Sequence, residues 1–166
     1  MHRIKHRVNT RVELLNCPKE LGVEVDIRSR AEELIIHHDP YADGENFEEW
    51  INDFDHGTLI LNVKEEGLEE RLIEIMKKND IDNYFFLDQS FPFLVKTYKV
   101  GESRCAVRIS EFESIETVMS LAGKVEWVWV DCFTRFPLTS LDANLLKEKG
   151  EFKLCFVSPE LHGRMD

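Results

Sequence analysis

The chain has 166 residues, 43% hydrophobic and 32% charged, with a formal net charge of -11, the make-up of one soluble globular domain spanning residues 1–166. So acidic a surface argues against a general nucleic-acid binder, which needs a basic face. No apolar run reaches membrane-spanning length, and MHRIKHRVNT lacks the apolar core of a secretory signal, so a cytoplasmic location is expected.

Taken in order, Ile4 to Arg7 reads as a short strand ending in His6-Arg7. Thr10-x-x-Glu13 is a capping box that opens a helix, and Pro18 keeps that helix short or kinked. Gly22 leads into a strand in which Val23, Val25 and Ile27 alternate with Glu24, Asp26 and Arg28. Ala31-Glu32-Glu33 reads as a tight turn, and the apolar run Leu34-Ile35-Ile36 ends in His37-His38-Asp39-Pro40. Tyr41 to Glu45 is a polar loop before a helix with Phe47, Trp50, Ile51 and Phe54 on one stripe.

Thr58 to Lys64 is the next strand, with Ile60, Asn62 and Lys64 on one face. A helix from Gly67 to Asn79 turns Leu68, Leu72, Ile75 and Met76 inward. Asn83 to Gln89 is an apolar strand, followed by a helix capped by Ser90. Further strands are predicted at Arg104 to Ile109, Val125 to Asp131 and Phe152 to Ser158. Helices from Ser114 and from Thr139 or Ser140 lie between them. Cys17, Cys105, Cys132 and Cys155 form no C-x-x-C pair and read as small core residues in a reducing compartment.

Strand and helix alternate at roughly 25-residue spacing, which implies an α/β fold with a parallel sheet covered by helices. About seven such strands are predicted, plus the extra run at Leu34 to His38. Polar residues gather at their C-terminal ends: His6, Asp26, Lys64, Asp88, Arg108, Asp131 and Ser158. A TIM-type (β/α) barrel builds its site there, and so does a doubly wound sheet, but no Gly-rich phosphate loop follows any strand. A full barrel usually needs about 250 residues. The expected barrel is therefore incomplete, with its final βα unit missing and open edges that invite self-association.

Glu24 and Asp26, side by side on one strand face, repel each other unless a cation lies between them. A hard divalent ion with oxygen ligands would serve, and nearby imidazoles suit acid–base work on a phosphate ester. The competing reading is a half-exposed strand with a solvated charged face.

The pieces His6-Arg7, Glu24-x-Asp26 and His38-Asp39-Pro40 together resemble the signature of glycerophosphodiester phosphodiesterases. These are barrel hydrolases of the superfamily that includes phosphatidylinositol-specific phospholipases C. The stretches LNVKEEG, YFFLDQSFP, RISEFES, VWVDCF and VSPELHGR resemble a bacterial branch of it. The resemblance implies that Glu24 and Asp26 bind a divalent metal, magnesium first, with calcium or manganese as alternatives. It implies that His6 and His38 are the general acid and base and that Arg7 contacts phosphate. His37 is set aside because the family's histidine directly precedes the Asp. The family's third metal ligand, a Glu in an E-x-K pattern, falls on Asn62, followed by Lys64. An amide oxygen ligates a hard cation but carries no charge, so weaker ion binding is expected. The chain also departs from the family at HRVNT, where a glycine commonly follows HR.

The implied substrate is a small phosphodiester, cleaved by hydrolysis or by cyclisation. Lys64 and Arg108 are expected to help bind phosphate, and Glu111, Asp131 and Glu160 to shape the pocket. Trp127 and Trp129 read as core, His2 and His56 as ordinary surface residues, and His162 has no assigned role. The alternative function is a barrel that binds a phosphate or sugar-phosphate ligand without turnover.

Overall fold

The structure is a computed structural model and describes residues 1–164. The chain divides into two compact units, residues 1–93 and 94–166. In the first, β1 (Ile4–Lys5) and α1 (Arg11–Leu15) lead into the long strand β2 (Gly22–Arg30). A turn at Ala31, in left-handed backbone (φ 54), folds β3 (Glu33–Ile36) back against it. There follow β4 (Glu45–Asn46), α2 (Phe47–Trp50) with a 3-10 turn to Asp53, β5 (Leu59–Val63), α3 (Glu69–Lys78) and β6 (Tyr84–Leu87).

β2 is parallel to β1, to β5 and, through β5, to β6, while β3 pairs antiparallel with β2, and β4 antiparallel with β3. The extra apolar run is thus a hairpin arm and not a member of the parallel set. β1 borders only the first half of β2, and β3 borders the second half. This arrangement follows from the composition of β2, which is buried on both faces from Gly22 to Ile27. Val23, Val25 and Ile27 pack into the core, and Glu24 and Asp26 on the other face are each only 1% exposed. The competing reading of a solvated charged face is therefore overturned.

Gly22 sits where three strands crowd together. A Cβ there would lie 2.6 Å from the Thr58 carbonyl oxygen and 2.9 Å from the Ile4 side chain. Because the nearer neighbour is backbone, Gly22→Ala is expected to lower stability by about 1–3 kcal/mol, read as a lower urea midpoint at constant m-value.

α4 (Phe91–Lys99) precedes β7 (Ala106–Ile109), α5 (Ile115–Met119) and β8 (Trp127–Val130). Next come α6 (Ser140–Asn144), continued by a π-helical turn to Lys149, then β9 (Lys153–Phe156) and a 3-10 turn at Pro159–His162. β7, β8 and β9 form a parallel three-stranded sheet. Among the described residues seven strands lie in parallel ladders, in two separate sheets, and no ladder closes a ring. The architecture is α/β with parallel strands.

Capping chemistry appears at Thr10, Ser114 and Thr139 as the sequence implies, but the Ser90 hydroxyl, expected to cap the helix at Phe91–Lys99, is buried and makes no hydrogen bond among the described residues. Thr10 and Thr139 each form a full capping box, and Asn46 and Ser114 cap α2 and α5. The helix at Phe47 is shorter than its stripe implies, with Phe54 already its extended exit residue. One histidine corrects the reading as a surface residue: His56 has a side chain 1% exposed, beside Phe54 and within 3.1 Å of the Cys17 carbonyl. His2 is exposed as expected, and its Nε2 accepts the Thr58 N–H at 3.3 Å. All four cysteines are free, and burial pushes the Cys155 thiol up to about 12. No helix of the described residues is long and apolar enough to cross a membrane.

Candidate active site

The site of the first unit is assembled where strands end. β1 stops at Lys5, and its course beside β2 resumes where the Val8 N–H donates to the Glu24 carbonyl. Between them His6 and Arg7 loop out, and Arg7 adopts left-handed backbone (φ 53). A non-glycine residue in that region is held there by its surroundings. Here the turn points the Arg7 backbone N–H at Glu24 Oε2, 2.7 Å away, and leaves its guanidinium 3.9 Å from Asp26 Oδ2. His6 Nε2 lies 3.7 Å from the same Glu24 oxygen.

Directly across the ladder from Asp26 is Asn62. Its Nδ2 donates to Glu24 Oε1 at 2.7 Å. Lys64 Nζ lies 3.2 Å from Asp26 Oδ1 and 3.3 Å from Asp88 Oδ2. The Lys64 approach to Asp26 is an ion pair without hydrogen-bond alignment, so Asp26 Oδ1 accepts no hydrogen bond among the described residues. The same is true of Asn62 Oδ1.

Burial and the neighbouring Asp26 charge push the Glu24 carboxyl up to about 7, against hydrogen bonds from Arg7 and Asn62. Burial, with Arg7 beside it, lowers the His6 imidazole below its ordinary value of 6.5. The Asp39 carboxyl is lowered by its hydrogen bond to His38.

The acid pair is a test of whether a divalent cation belongs here. No three His, Cys, Asp or Glu side chains converge among the described residues. Instead there are two buried carboxylates and one buried amide, with an unbonded oxygen on Asp26 and another on Asn62. Oxygen-only donors, unmet lone pairs and an acid raised by its neighbour fit a hard ion such as magnesium, which often takes only one or two carboxylates. A single ammonium, shared with Asp88, is the positive charge placed on Asp26 Oδ1.

Beside this pair opens a cleft of about 710 Å³, lined by Arg7, Asn9, His37, His38, Asp39 and Glu45 among others. His38 Nδ1 lies 2.8 Å from Asp39 Oδ1, and its side chain is 40% exposed. His37 Nδ1 accepts the Asp39 N–H at 2.9 Å and so is engaged with its own turn.

Arg28 shares the acid pair's strand face, but its guanidinium binds the His38 carbonyl. Asn9 is a residue that sequence reasoning missed. Its Nδ2 donates to Asp26 Oδ2 at 2.8 Å while its Oδ1 accepts the Asp26 N–H at 3.0 Å. The signal was available: an amide one residue before a helix cap, just after His6-Arg7.

The second unit holds the remaining expected residues. Arg108 Nη1 is 3.1 Å from Asp131 Oδ2, and Asp131 also meets His162 Nε2 at 2.5 Å, the Trp129 indole N–H at 3.3 Å and the Cys132 N–H at 3.0 Å. Glu111 gathers the Thr134 hydroxyl and the N–H groups of 133–135, and the Thr134 hydroxyl bond above all holds its carboxyl down to about 2. Glu160 accepts the Ser158 hydroxyl. Trp129 is buried as expected, whereas Trp127 is half-buried with the Lys153 ammonium 5.3 Å from its ring.

No protein-family model and no curated protein matches the chain. A solved structure, a glycerophosphodiester phosphodiesterase from Agrobacterium tumefaciens str. C58, matches with a TM-score of 0.56 at 11% identity, covering 98% of this chain and 99% of that one. The chain is therefore similar in fold, over nearly its whole length, to a glycerophosphodiester phosphodiesterase.

Proposed function

We propose that the chain cleaves a small phosphodiester, glycerophosphodiester-like, at the site around Glu24 and Asp26. The observation that carries this reading is convergence: His6, Arg7, Glu24, Asp26, Asn62 and Lys64, from three parallel strands, form one cluster of contacts under 4 Å. We read the parallel strands as those of an incomplete TIM-type barrel, a reading that the fold similarity supports.

Glu24, Asp26 and Asn62 would hold a divalent cation, magnesium in the first instance. Such an ion supplies charge neutralisation at a phosphoryl oxygen. Arg7 and Lys64 add positive charge where negative charge builds in the transition state. One imidazole of His6 and His38 takes the proton from the attacking hydroxyl, of water or of the substrate itself. As the new P–O bond forms and the old one breaks, the other protonates the departing alkoxide. Asp39, bonded to His38 Nδ1, keeps the ring's Nε2 available for that transfer.

The test is a panel of diesters, from bis(p-nitrophenyl) phosphate to glycerophosphodiesters, with magnesium, manganese or calcium. Turnover that needs the ion is expected; none with any pairing rejects the enzyme. A second reading, a phosphate binder without turnover, is favoured by the uncharged Asn62 and by the Lys64 contact at 3.2 Å. It predicts thermal stabilisation by phosphoesters that the protein leaves intact.

A further inference from the structure

The Arg28 side chain is only 13% exposed and is anchored at several points. Its Nη2 and Nε donate to the His38 carbonyl at 2.8 and 3.2 Å. Its Nη1 reaches the Lys64 carbonyl and Glu65 Oε1, each at 3.5 Å. The other Glu65 oxygen accepts the Ser29 N–H at 3.0 Å and the Ser29 hydroxyl at 2.5 Å, which ties it back to β2.

The places joined are where two chain segments leave the sheet. On one side of β2 the last rung is the His37 N–H to the Asp26 carbonyl, and on the other the Lys64 N–H to the Ile27 carbonyl. Beyond these rungs the backbone has no ladder to fix it. A planar guanidinium with donors in a fixed fork grips two carbonyls at once, which a lysine cannot reproduce.

We infer that Arg28 is a positioning residue, stapling the exit of His38 to the exit of Lys64 and so setting an acid–base imidazole relative to the ammonium beside the acid pair. The inference rests on the proposed phosphodiester chemistry for its consequence in turnover, and on the geometry alone for its consequence in backbone order. Displacement of a reacting group by about 1 Å is enough to lower a rate ~100-fold.

The experiment compares the full chain with Arg28→Lys by steady-state kinetics on the best diester of the panel, by amide hydrogen exchange and by the His38 ring resonances in NMR. The variant is expected to lose ~10- to 100-fold in kcat with KM changed less than about twofold, the split of a misplaced reacting group. Amides of 37–39 and 64–66 are expected to exchange faster together, and the His38 ring signals to shift. Wild-type exchange in both segments with unmoved His38 signals overturns the staple, whatever the kinetics. A wild-type chain that cleaves no diester instead rejects the phosphodiesterase reading, while exchange and ring signals still decide the staple. If Arg28→Lys fails to fold, Arg28→Gln, too short to reach both carbonyls, is expected to raise exchange in the same two segments, and Glu65→Ala, which removes one Nη1 acceptor and the tie to Ser29, to raise it less; unchanged exchange in both variants overturns the staple equally.

Discussion

His38→Ala is expected to lower kcat for diester cleavage by ~10²- to 10⁴-fold, the usual contribution of a positioned acid or base. The side chain is part-exposed at the cleft wall, and its Nδ1 bond is to its own neighbour Asp39. Little core packing is lost, so stability should stay within about 0.5 kcal/mol of wild type. His37→Ala is the matched control, because His37 Nδ1 serves the turn by accepting the Asp39 N–H. It is expected to retain far more activity. Side-by-side kinetics decide the assignment: a larger loss at His37 would exchange the roles, and equal losses would reject His38 as the sole acid–base residue of the pair.

The second large effect is on stability. In metal-free protein the Glu24 carboxyl sits near 7, against an ordinary value of 4.5. Between those values the folded chain binds more protons than the unfolded one. Stability therefore falls as pH rises from about 4.5 to 7, by on the order of 3 kcal/mol at 1.36 kcal/mol per pKa unit. A cation that binds the ionised pair acts in the opposite sense, adding RT ln(1 + [L]/Kd), about 2.7 kcal/mol at a hundred times Kd.

Urea titrations in a chelator should thus show a decline toward neutral pH, and millimolar magnesium should abolish it while changing little near pH 5. Glu24→Gln should remove both the decline and the magnesium effect. A flat pH profile in chelator, or stabilisation by magnesium that survives Glu24→Gln, would contradict this account of the acid pair.

The sequence pattern made much of this legible. β-branched residues in alternation placed β2, and its hydrophobic face set the register that puts Asp26 opposite Asn62. The burial of the opposite face was not legible. Nothing in Glu24-x-Asp26 alone says whether water or protein covers it, and that depends on Asn9, Asn62 and Lys64, which lie on other elements.

The Leu34 to His38 run illustrates a second limit. Its composition suits any buried strand, and its antiparallel direction depends on the tight turn at Ala31 (φ 54). Arg28 illustrates a third. Alternation put it on the face of the acid pair, but a long side chain has many reachable partners, and the carbonyls at His38 and Lys64 are fixed only once β3 and β5 flank β2.

The most direct test of the central claim is a manganese titration followed by NMR of the side-chain amides of Asn9 and Asn62 and the rings of His6 and His38. If the buried carboxylates hold a divalent ion between them, substoichiometric manganese broadens the two amides and the His6 ring first, and Asp26→Asn abolishes the effect. Broadening that is absent, or that starts at distant surface carboxylates and survives Asp26→Asn, would show that the acid pair is neutralised from within by Lys64 and holds no ion.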